Sequence, residues 1–292
     1  MPKQYKKPTA RKSTDLFSLQ NLTPTSFKLK KSLGQNLLTD NDVINTSLMA
    51  AELRPQDLVI EIGPGTGALT DKIIEIGPQL IAIELDKRLS QHLKLRYQGQ
   101  DNVSILQADA TQVDISSLLQ DHSHYKVMGN LPYYLGSKII RKFLEADNKP
   151  DLLVVMVQHE VALNMCATPG KLNLLGIGVQ FFGQPRIITS VPPSAFYPKP
   201  KVTSALVRID VCKTPFLPKE DEKGFFSLVR SGFKAPRKQL GGVLSNGLGI
   251  SRDQLELLFR EANIPISNRA QHLSLDDWAR LYAVFKDNQC KN

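Results

Sequence analysis

The chain has 292 residues, 41% of them hydrophobic, and a mean hydropathy of -0.20. These values are typical of a soluble globular protein with one large domain and a smaller one. The longest apolar run in its strand-like part, Leu152–Val157, is far too short to span a bilayer. No apolar run follows the basic N-terminus, so we expect neither membrane association nor a secretory signal.

The net charge of +9 is concentrated at the two ends of the chain. Residues 1–31 contain eight basic residues and one acidic residue, which gives +7, and residues 213–292 have a net charge of +4. The middle of the chain, residues 32–212, has a net charge of −2. A nearly neutral middle between basic ends predicts a polyanionic partner that is held from outside the active site, and solubility is the alternative. For the tail itself, an RNA-binding arm, an organelle transit peptide and a solvated extension all stay open.

The cysteines are isolated from one another along the chain. Cys166, Cys212 and Cys290 show no CxxC spacing, and an odd number without a framework is typical of reduced thiols. We therefore expect a cytoplasmic protein without a metal site, and we expect it to be a monomer.

The pattern of apolar residues predicts an α/β fold with a mostly parallel sheet, followed by a smaller all-α part. We expect a basic disordered tail over residues 1–27, an α/β domain over 28–212 and a helical domain over 213–292, with a linker at Thr214–Lys223. The predicted strands are Leu58–Ile62, Leu80–Glu84, Val103–Leu106, Lys126–Met128, Leu152–Val157 and a late, antiparallel one at Val202–Val211. The predicted helices are Ala68–Ile76, Leu89–Leu95, Ser137–Leu144 with Ser137 as N-cap, Phe225–Phe233, Asp253–Glu261 and Leu275–Phe285.

Residues 128–134 read Met-Gly-Asn-Leu-Pro-Tyr-Tyr, a pattern suited to methylating an exocyclic amine of a nucleobase. Such an amine is a poor nucleophile until acceptors hold its N–H groups, because its lone pair is delocalised into the ring. The Asn130 side-chain oxygen can be one acceptor, and the Leu131 carbonyl can be the other, since Pro132 keeps the preceding residue extended. Tyr133 offers a flat face for the base. An ordinary strand-to-turn junction with a buried tyrosine is the alternative.

A glycine-rich loop and two acidic residues predict a nucleotide-like cofactor. Gly63–Gly67 follows an apolar strand and precedes a helix, and its glycines allow a tight turn and a close backbone approach. Glu84 ends the next strand, where a carboxylate can accept both ribose hydroxyls of NAD or of S-adenosylmethionine. Asp109 favours S-adenosylmethionine, because its carboxylate can accept the adenine N6 protons. Taken alone, Asp109 is equally consistent with a helix N-cap.

These motifs, in this order, resemble the KsgA/RsmA family of rRNA adenine N6,N6-dimethyltransferases from about Lys30 to the last helix. Further landmarks of the resemblance are Lys31–Leu38, Gln158–Ala162, Pro192–Val202, Arg237–Leu240 and Arg269–Leu273. The chain departs from the family pattern at Leu37, Asn164 and Gly241-Gly242. The departures at Asn164 and Gly241-Gly242 concern segments expected to contact RNA or neighbouring helices, not methyl transfer.

The resemblance implies a Rossmann-like, class I S-adenosylmethionine-dependent methyltransferase domain. It implies that two adjacent adenosines are dimethylated in a hairpin near the 3′ end of small-subunit rRNA. It further implies that Tyr133 and Phe196 sandwich the target adenine, although Phe196 on its own is equally consistent with a core residue. The residues implied to bind S-adenosylmethionine are Asn36, Leu38, Gly63, Gly65, Glu84, Asp109 and Asn130.

Six basic residues are expected to contact rRNA phosphates, namely Lys199, Lys201, Arg230, Lys234, Arg237 and Lys238. A solvated helix face is the alternative for each of them. Three other functions stay open: a large-subunit rRNA methylase of the macrolide-resistance type, a nucleic-acid-binding relative without catalysis, and an NAD-dependent oxidoreductase. The Arg237–Leu240 and Arg269–Leu273 landmarks favour the small-subunit enzyme.

Overall fold

The computed structural model describes residues 34–120 and 122–289. The predicted tail at 1–27, residues 31–33 of the first family landmark and Cys290 lie outside the described residues. The strands are Leu37–Leu38 (β1), Leu58–Ile62 (β2), Gln79–Glu84 (β3), Val103–Gln107 (β4), Lys126–Asn130 (β5), Leu152–Gln158 (β6), Gly183–Val191 (β7), Phe196–Tyr197 (β8) and Ser204–Val211 (β9). The helices are Asn41–Ala51 (α1), Ala68–Ile76 (α2), Lys87–Arg96 (α3), Ile115–Leu119 (α4), Gly136–Leu144 (α5), His159–Met165 (α6), Leu174–Gln180 (α7), Lys219–Gly232 (α8), Leu240–Leu248 (α9), Arg252–Glu261 (α10) and Leu275–Gln289 (α11).

The predicted mostly parallel sheet is confirmed. Its strand order is β4-β3-β2-β5-β6-β9-β7. The first five strands of that order pair in parallel, and β9 is antiparallel to both β6 and β7. All five residues of β2 are buried, as expected for a parallel strand covered by helices on both faces. A separate antiparallel pair joins β1 to β8.

The C-terminal helices pack against the α/β part through aromatic side chains. The Phe181 ring, at the C-terminal end of α7, lies 5.1 Å from that of Phe225 and 4.8 Å from that of Phe226, measured between centroids. Trp278 is fully buried and its ring stacks on Phe233. Within residues 34–120 and 122–289, no helix is both long and apolar enough to cross a bilayer.

A predicted linker and a predicted N-cap were wrong. Helix α8 begins at Lys219, inside the predicted linker, because Pro218 precedes it and three acidic residues in its first turn favour the helix dipole. Helix α5 begins at Gly136, so Ser137 is not its N-cap. The carbonyl of Pro132 accepts hydrogen bonds from the amides of Leu135 and Gly136, both at 2.9 Å, and this turn leads straight into the helix.

Several elements were not predicted. They include α1, α6, α7, α9 and the edge strand β7. Strand β7 has alternating exposure and a register shift between Ile187 and Thr189, so its apolar pattern is short and interrupted.

Strands β2 and β5 approach each other closely at their carboxyl ends. A Cβ added to Gly129 would lie 2.2 Å from the carbonyl oxygen of Ile62, its partner in the parallel ladder. A Cβ added to Gly63 would lie 3.3 Å from the carbonyl oxygen of Asn130. The absence of side chains at these glycines therefore lets the loop after β2 contact the end of β5 directly.

The substitution Gly129→Ala should lower the free energy of unfolding by roughly 2 to 4 kcal/mol, because the new methyl group meets backbone that cannot move freely. Urea denaturation of the purified variant measures this. Gly247→Ala is the matched control: it lies in α9 with no atom within 4 Å of the new Cβ, and it should stabilise by up to about 1 kcal/mol. Equal stability of Gly129→Ala and the wild type would contradict the close approach.

Candidate active site

A cleft opens at the carboxyl ends of the parallel strands, the edge at which open α/β sheets bind ligands. It brings together most of the predicted site residues, which come from the segment Gly34–Leu38 and from the ends of β2, β3, β4 and β5. Its lining includes Asn36, Leu38, Gly63, Gly65, Glu84, Asp109, Asn130, Leu131 and Tyr133. Phe196 is not among the lining residues.

The loop after β2 requires glycine at three positions. Gly63, Gly65 and Gly67 have φ angles of 70°, 63° and 95°, which residues with a side chain rarely adopt. The Gly67 amide donates to the Pro64 carbonyl at 2.9 Å, and the Gly65 amide donates to the Glu84 carboxylate at 3.1 Å. The loop is thereby fixed against the end of β3.

Two carboxyl groups are buried at the base of the cleft. Glu84 is 6% exposed and also accepts from the Asp86 amide at 2.8 Å. Glu61 in β2 is 1% exposed and accepts from the Thr70 hydroxyl at 2.7 Å. Loss of hydration raises the pKa of Glu84 to about 7 and that of Glu61 to about 8, and the charge of Glu84 adds to the effect on Glu61.

Sequence reasoning missed Asp86, which orients the residues around Glu84. Its carboxylate accepts hydrogen bonds from the Arg88 side chain and, at 3.1 Å, from the Gln35 side chain. These bonds, those from Arg88 first, hold the pKa of Asp86 at about 2. Asp86 also caps α3, and an aspartate directly before an amphipathic helix was the available signal.

Asp109 lies just beyond β4 with one carboxylate oxygen in use. Oδ1 accepts from the Thr111 amide at 2.8 Å, and within residues 34–120 and 122–289 no donor reaches Oδ2. The Ala108 amide donates to the Glu84 carbonyl at 3.1 Å, which holds the ends of β3 and β4 side by side. Asp109 can therefore accept the Thr111 amide through Oδ1 and still offer Oδ2 to a ligand.

The motif after β5 presents two acceptors. The Asn130 side-chain amide donates through Nδ2 to the Asn36 carbonyl at 2.6 Å, which leaves Oδ1 as the acceptor of that amide. The Leu131 amide donates to the Met156 carbonyl at 3.1 Å and fixes the backbone there. In the described part of the chain, no donor reaches Asn130 Oδ1 or the Leu131 carbonyl oxygen.

The two aromatic residues predicted to hold the base are placed differently. Tyr133 is half-buried in the cleft, and its hydroxyl is 2.7 Å from that of Ser204, a buried residue at the start of β9. Burial raises the pKa of the Tyr133 hydroxyl. Phe196 is 2% exposed and packs in the core with Leu38 and Ile44. This position agrees with the core interpretation that the sequence also allowed, and a contact of Phe196 with the base stays a prediction.

The segment Gly34–Leu38 connects the separate parts of the site. Asn36 accepts from Asn130, and Gln35 donates to Asp86. Leu38 pairs with Phe196 in the small antiparallel sheet. One short segment therefore contacts the end of β5, the end of β3 and the strand β8.

The six basic residues predicted to contact RNA are all exposed. None of them forms an ion pair with any residue that the structure describes. Arg88, Arg96 and Arg208 are by contrast paired with carboxylates.

The burial of Glu61 predicts how the free energy of unfolding depends on pH. Because the pKa of Glu61 is about 8 in the folded state and near 4.5 in the unfolded chain, the folded state binds the proton more tightly. Its contribution to stability should increase as the pH falls from about 8 to about 5, by at most about 1.4 kcal/mol per pH unit. Urea denaturation across this range should show Glu61→Gln more stable than the wild type at pH 8 and similar to it at pH 5. A stability difference between Glu61→Gln and the wild type that is the same at pH 5 and pH 8 would refute this prediction.

Comparison with known proteins identifies the family. The sequence profile of the family "Ribosomal RNA adenine dimethylase" matches residues 26–287. The chain is 40% identical over 265 residues to a protein of Dehalococcoides mccartyi named ribosomal RNA small subunit methyltransferase A, covering 91% of each chain. It is 37% identical over 271 residues to the protein of that name from Alkaliphilus oremlandii, covering 91% of this chain and 93% of the relative.

Solved structures share the fold. A dimethyladenosine transferase from Plasmodium falciparum superposes with a TM-score of 0.75 at 24% identity, covering 87% of this chain and 98% of that one. The 23S rRNA methyltransferase ErmE superposes with a TM-score of 0.70 at 24% identity, covering 86% of this chain and all of that one. The predicted class I methyltransferase fold is confirmed, and the chain belongs to the ribosomal RNA adenine dimethylase family.

Proposed function

We propose that this protein transfers methyl groups from S-adenosylmethionine to N6 of adenosines in small-subunit rRNA. The products are dimethylated bases at two adjacent adenosines of the hairpin near the 3′ end. The observation that carries this function is the pair of acceptors without donors, Asn130 Oδ1 and the Leu131 carbonyl, at the cleft. An exocyclic amine has two N–H groups, and this pair matches them.

The residues at the ends of β2, β3 and β4 fit S-adenosylmethionine. Glu84 lies beside the glycine loop, where it would accept ribose hydroxyls of the cofactor, and Asp109 Oδ2 would accept the adenine amine. The acidic side chains of Glu84 and Asp109 also give the cleft a negative character that suits a cationic ligand. The bound cofactor supplies an electrophilic methyl group on its sulfonium.

The chain accelerates the reaction mainly by positioning. Asn130 and Leu131 hold the amine so that its lone pair is directed at the methyl group, and Tyr133 stacks on the base. Positive charge already exists in the reactant and disperses during transfer, so the site needs acceptors more than a strong base. The amine proton leaves to solvent after transfer. The hydrogen bond from Asn130 to Asn36 keeps the acceptor oxygen of Asn130 turned away from the Asn36 carbonyl.

The basic C-terminal part, residues 213–292, is proposed to bind the rRNA. Arg230 lies in the last turn of α8, and Lys234, Arg237 and Lys238 follow in the connection to α9. Their exposure and lack of ion pairs leave their charges available to phosphates.

The relatives favour the small subunit over the large subunit as substrate. The likeness to the 23S rRNA methyltransferase ErmE extends to the fold, whereas relatives at 37–40% identity carry the small-subunit name. An NAD-dependent oxidoreductase would have no use for the acceptors at Asn130 and Leu131.

Methyl transfer to small subunits lacking the modification tests the reaction. Wild-type protein should label dimethyladenosines in the small-subunit 3′ hairpin and leave large subunits unlabelled. Asn130→Ala should lower kcat about a hundredfold, since one positioned acceptor is lost. Asn130→Asp should also be impaired, because an ionised carboxylate cannot donate to the Asn36 carbonyl.

Asn45→Ala, at an exposed asparagine of α1 outside the cleft lining, is the control and should retain full activity. Label confined to large subunits would instead assign the resistance-type reaction. Near-normal turnover by Asn130→Ala would refute the acceptor role.

The RNA surface makes a separate prediction. Arg237→Gln and Lys238→Gln should each weaken binding to small subunits and reduce the slope of log K against log salt by about 1. Lys94→Gln, an exposed lysine of α3, is the charge-matched control and should not change the slope. Filter binding between 50 and 200 mM salt measures this slope. An unchanged slope in Arg237→Gln and Lys238→Gln would exclude contacts of these two residues with phosphates.

A further inference from the structure

Two tyrosines beside the cleft are exposed and have no role in the site described above. Tyr134 is 58% exposed and Tyr197 is 43% exposed. Among the residues that the structure describes, no other Phe, Trp or Tyr is exposed. Neither hydroxyl has a hydrogen-bond partner in that part of the chain. Large aromatic faces left in water are typical of binding surfaces.

Both tyrosines border the same segment of the cleft wall. Tyr134 directly follows Tyr133, and a Cβ added to Gly34 would lie 3.3 Å from its ring. Tyr197 directly follows Phe196 and pairs with Leu37 across the small antiparallel sheet. Because the neighbours Tyr133 and Phe196 are buried more deeply, the two exposed rings lie on the solvent side of this wall.

Cations without partners accompany both rings. Lys138 lies one helical turn beyond Tyr134, in α5, and Lys199 and Lys201 follow Tyr197. All three lysines are exposed, and none is paired with a carboxylate of the described residues. Aromatic faces beside available positive charge are the features by which proteins bind single-stranded nucleic acid.

We propose that Tyr134 and Tyr197 form a stacking platform for the unpaired bases that flank the adenosine in the cleft. This inference rests on the proposed function, in which two adjacent adenosines react. A second unpaired adenine is then always joined to the one being methylated. The acceptor pair at Asn130 and Leu131 accommodates one amine, so the neighbouring base remains outside, where the exposed rings can stack on it.

Two measurements test the platform. In the first, Tyr134→Ala and Tyr197→Ala are compared with Tyr134→Phe and Tyr197→Phe for KM toward unmodified small subunits and for S-adenosylmethionine affinity. In the second, 2-aminopurine replaces one of the two adjacent adenosines in a hairpin RNA of the small-subunit 3′ end, and its fluorescence is recorded on binding. Met49→Ala is the control, because Met49 is an exposed apolar residue of α1, 71% exposed, and lies outside the cleft lining.

Each alanine variant should raise KM for the RNA about tenfold or more, while cofactor affinity stays unchanged and the phenylalanine variants behave as the wild type. The 2-aminopurine signal should be quenched by the wild type and the phenylalanine variants and restored in an alanine variant. Alanine variants that match Met49→Ala in both measurements would overturn the platform, as would equal losses in the alanine and phenylalanine variants.

The outcome for the platform is separable from that for the reaction. Ring-dependent quenching by a wild-type protein that methylates no subunit would support the platform and refute the proposed reaction. If the wild type methylates small subunits but neither ring affects KM or quenching, the reaction is supported and the platform is refuted.

Discussion

The close approach of β2 and β5 at their carboxyl ends is the constraint on which the site depends. Gly129 has no side chain to keep it from the Ile62 carbonyl, so the two strands stay in register up to the cleft. The glycine loop then begins against the backbone of Asn130. The Gly63–Gly67 loop and the Asn130–Tyr133 motif therefore lie side by side because their backbones are in contact, with no side chain between them.

Burial of carboxyl groups is the second consequence of this packing. Glu61 and Glu84 lie where the parallel strands are covered by helices, and removal of their hydration raises the pKa of both groups. Hydrogen bonds from Thr70 and from the Gly65 amide offset part of that cost. The same bonds hold the helix after the loop and the loop itself, so the acidic floor of the cleft also organises its walls.

The segment Gly34–Leu38 forms a further wall of the site. It contacts Asn130, Asp86 and β8, which arise from distant parts of the chain. Because the Asn36 carbonyl holds the Asn130 amide, the orientation of the proposed acceptor depends on this segment. The exposed rings of Tyr134 and Tyr197 border it as well. A change in the segment should consequently affect the cofactor side and the substrate side together.

The sequence by itself determined the parallel strands, the glycine loop and the acidic and amide residues at the strand ends. These features are local: continuous apolar runs specify buried parallel strands, and polar residues directly after them must lie at one edge of the sheet. Only the tertiary structure decided the contacts between distant segments. The bond from Asn130 to Asn36 spans 94 residues, and that from Tyr133 to Ser204 spans 71. The burial of Phe196 likewise depends on the pairing of β8 with β1, which no local pattern of residues reveals.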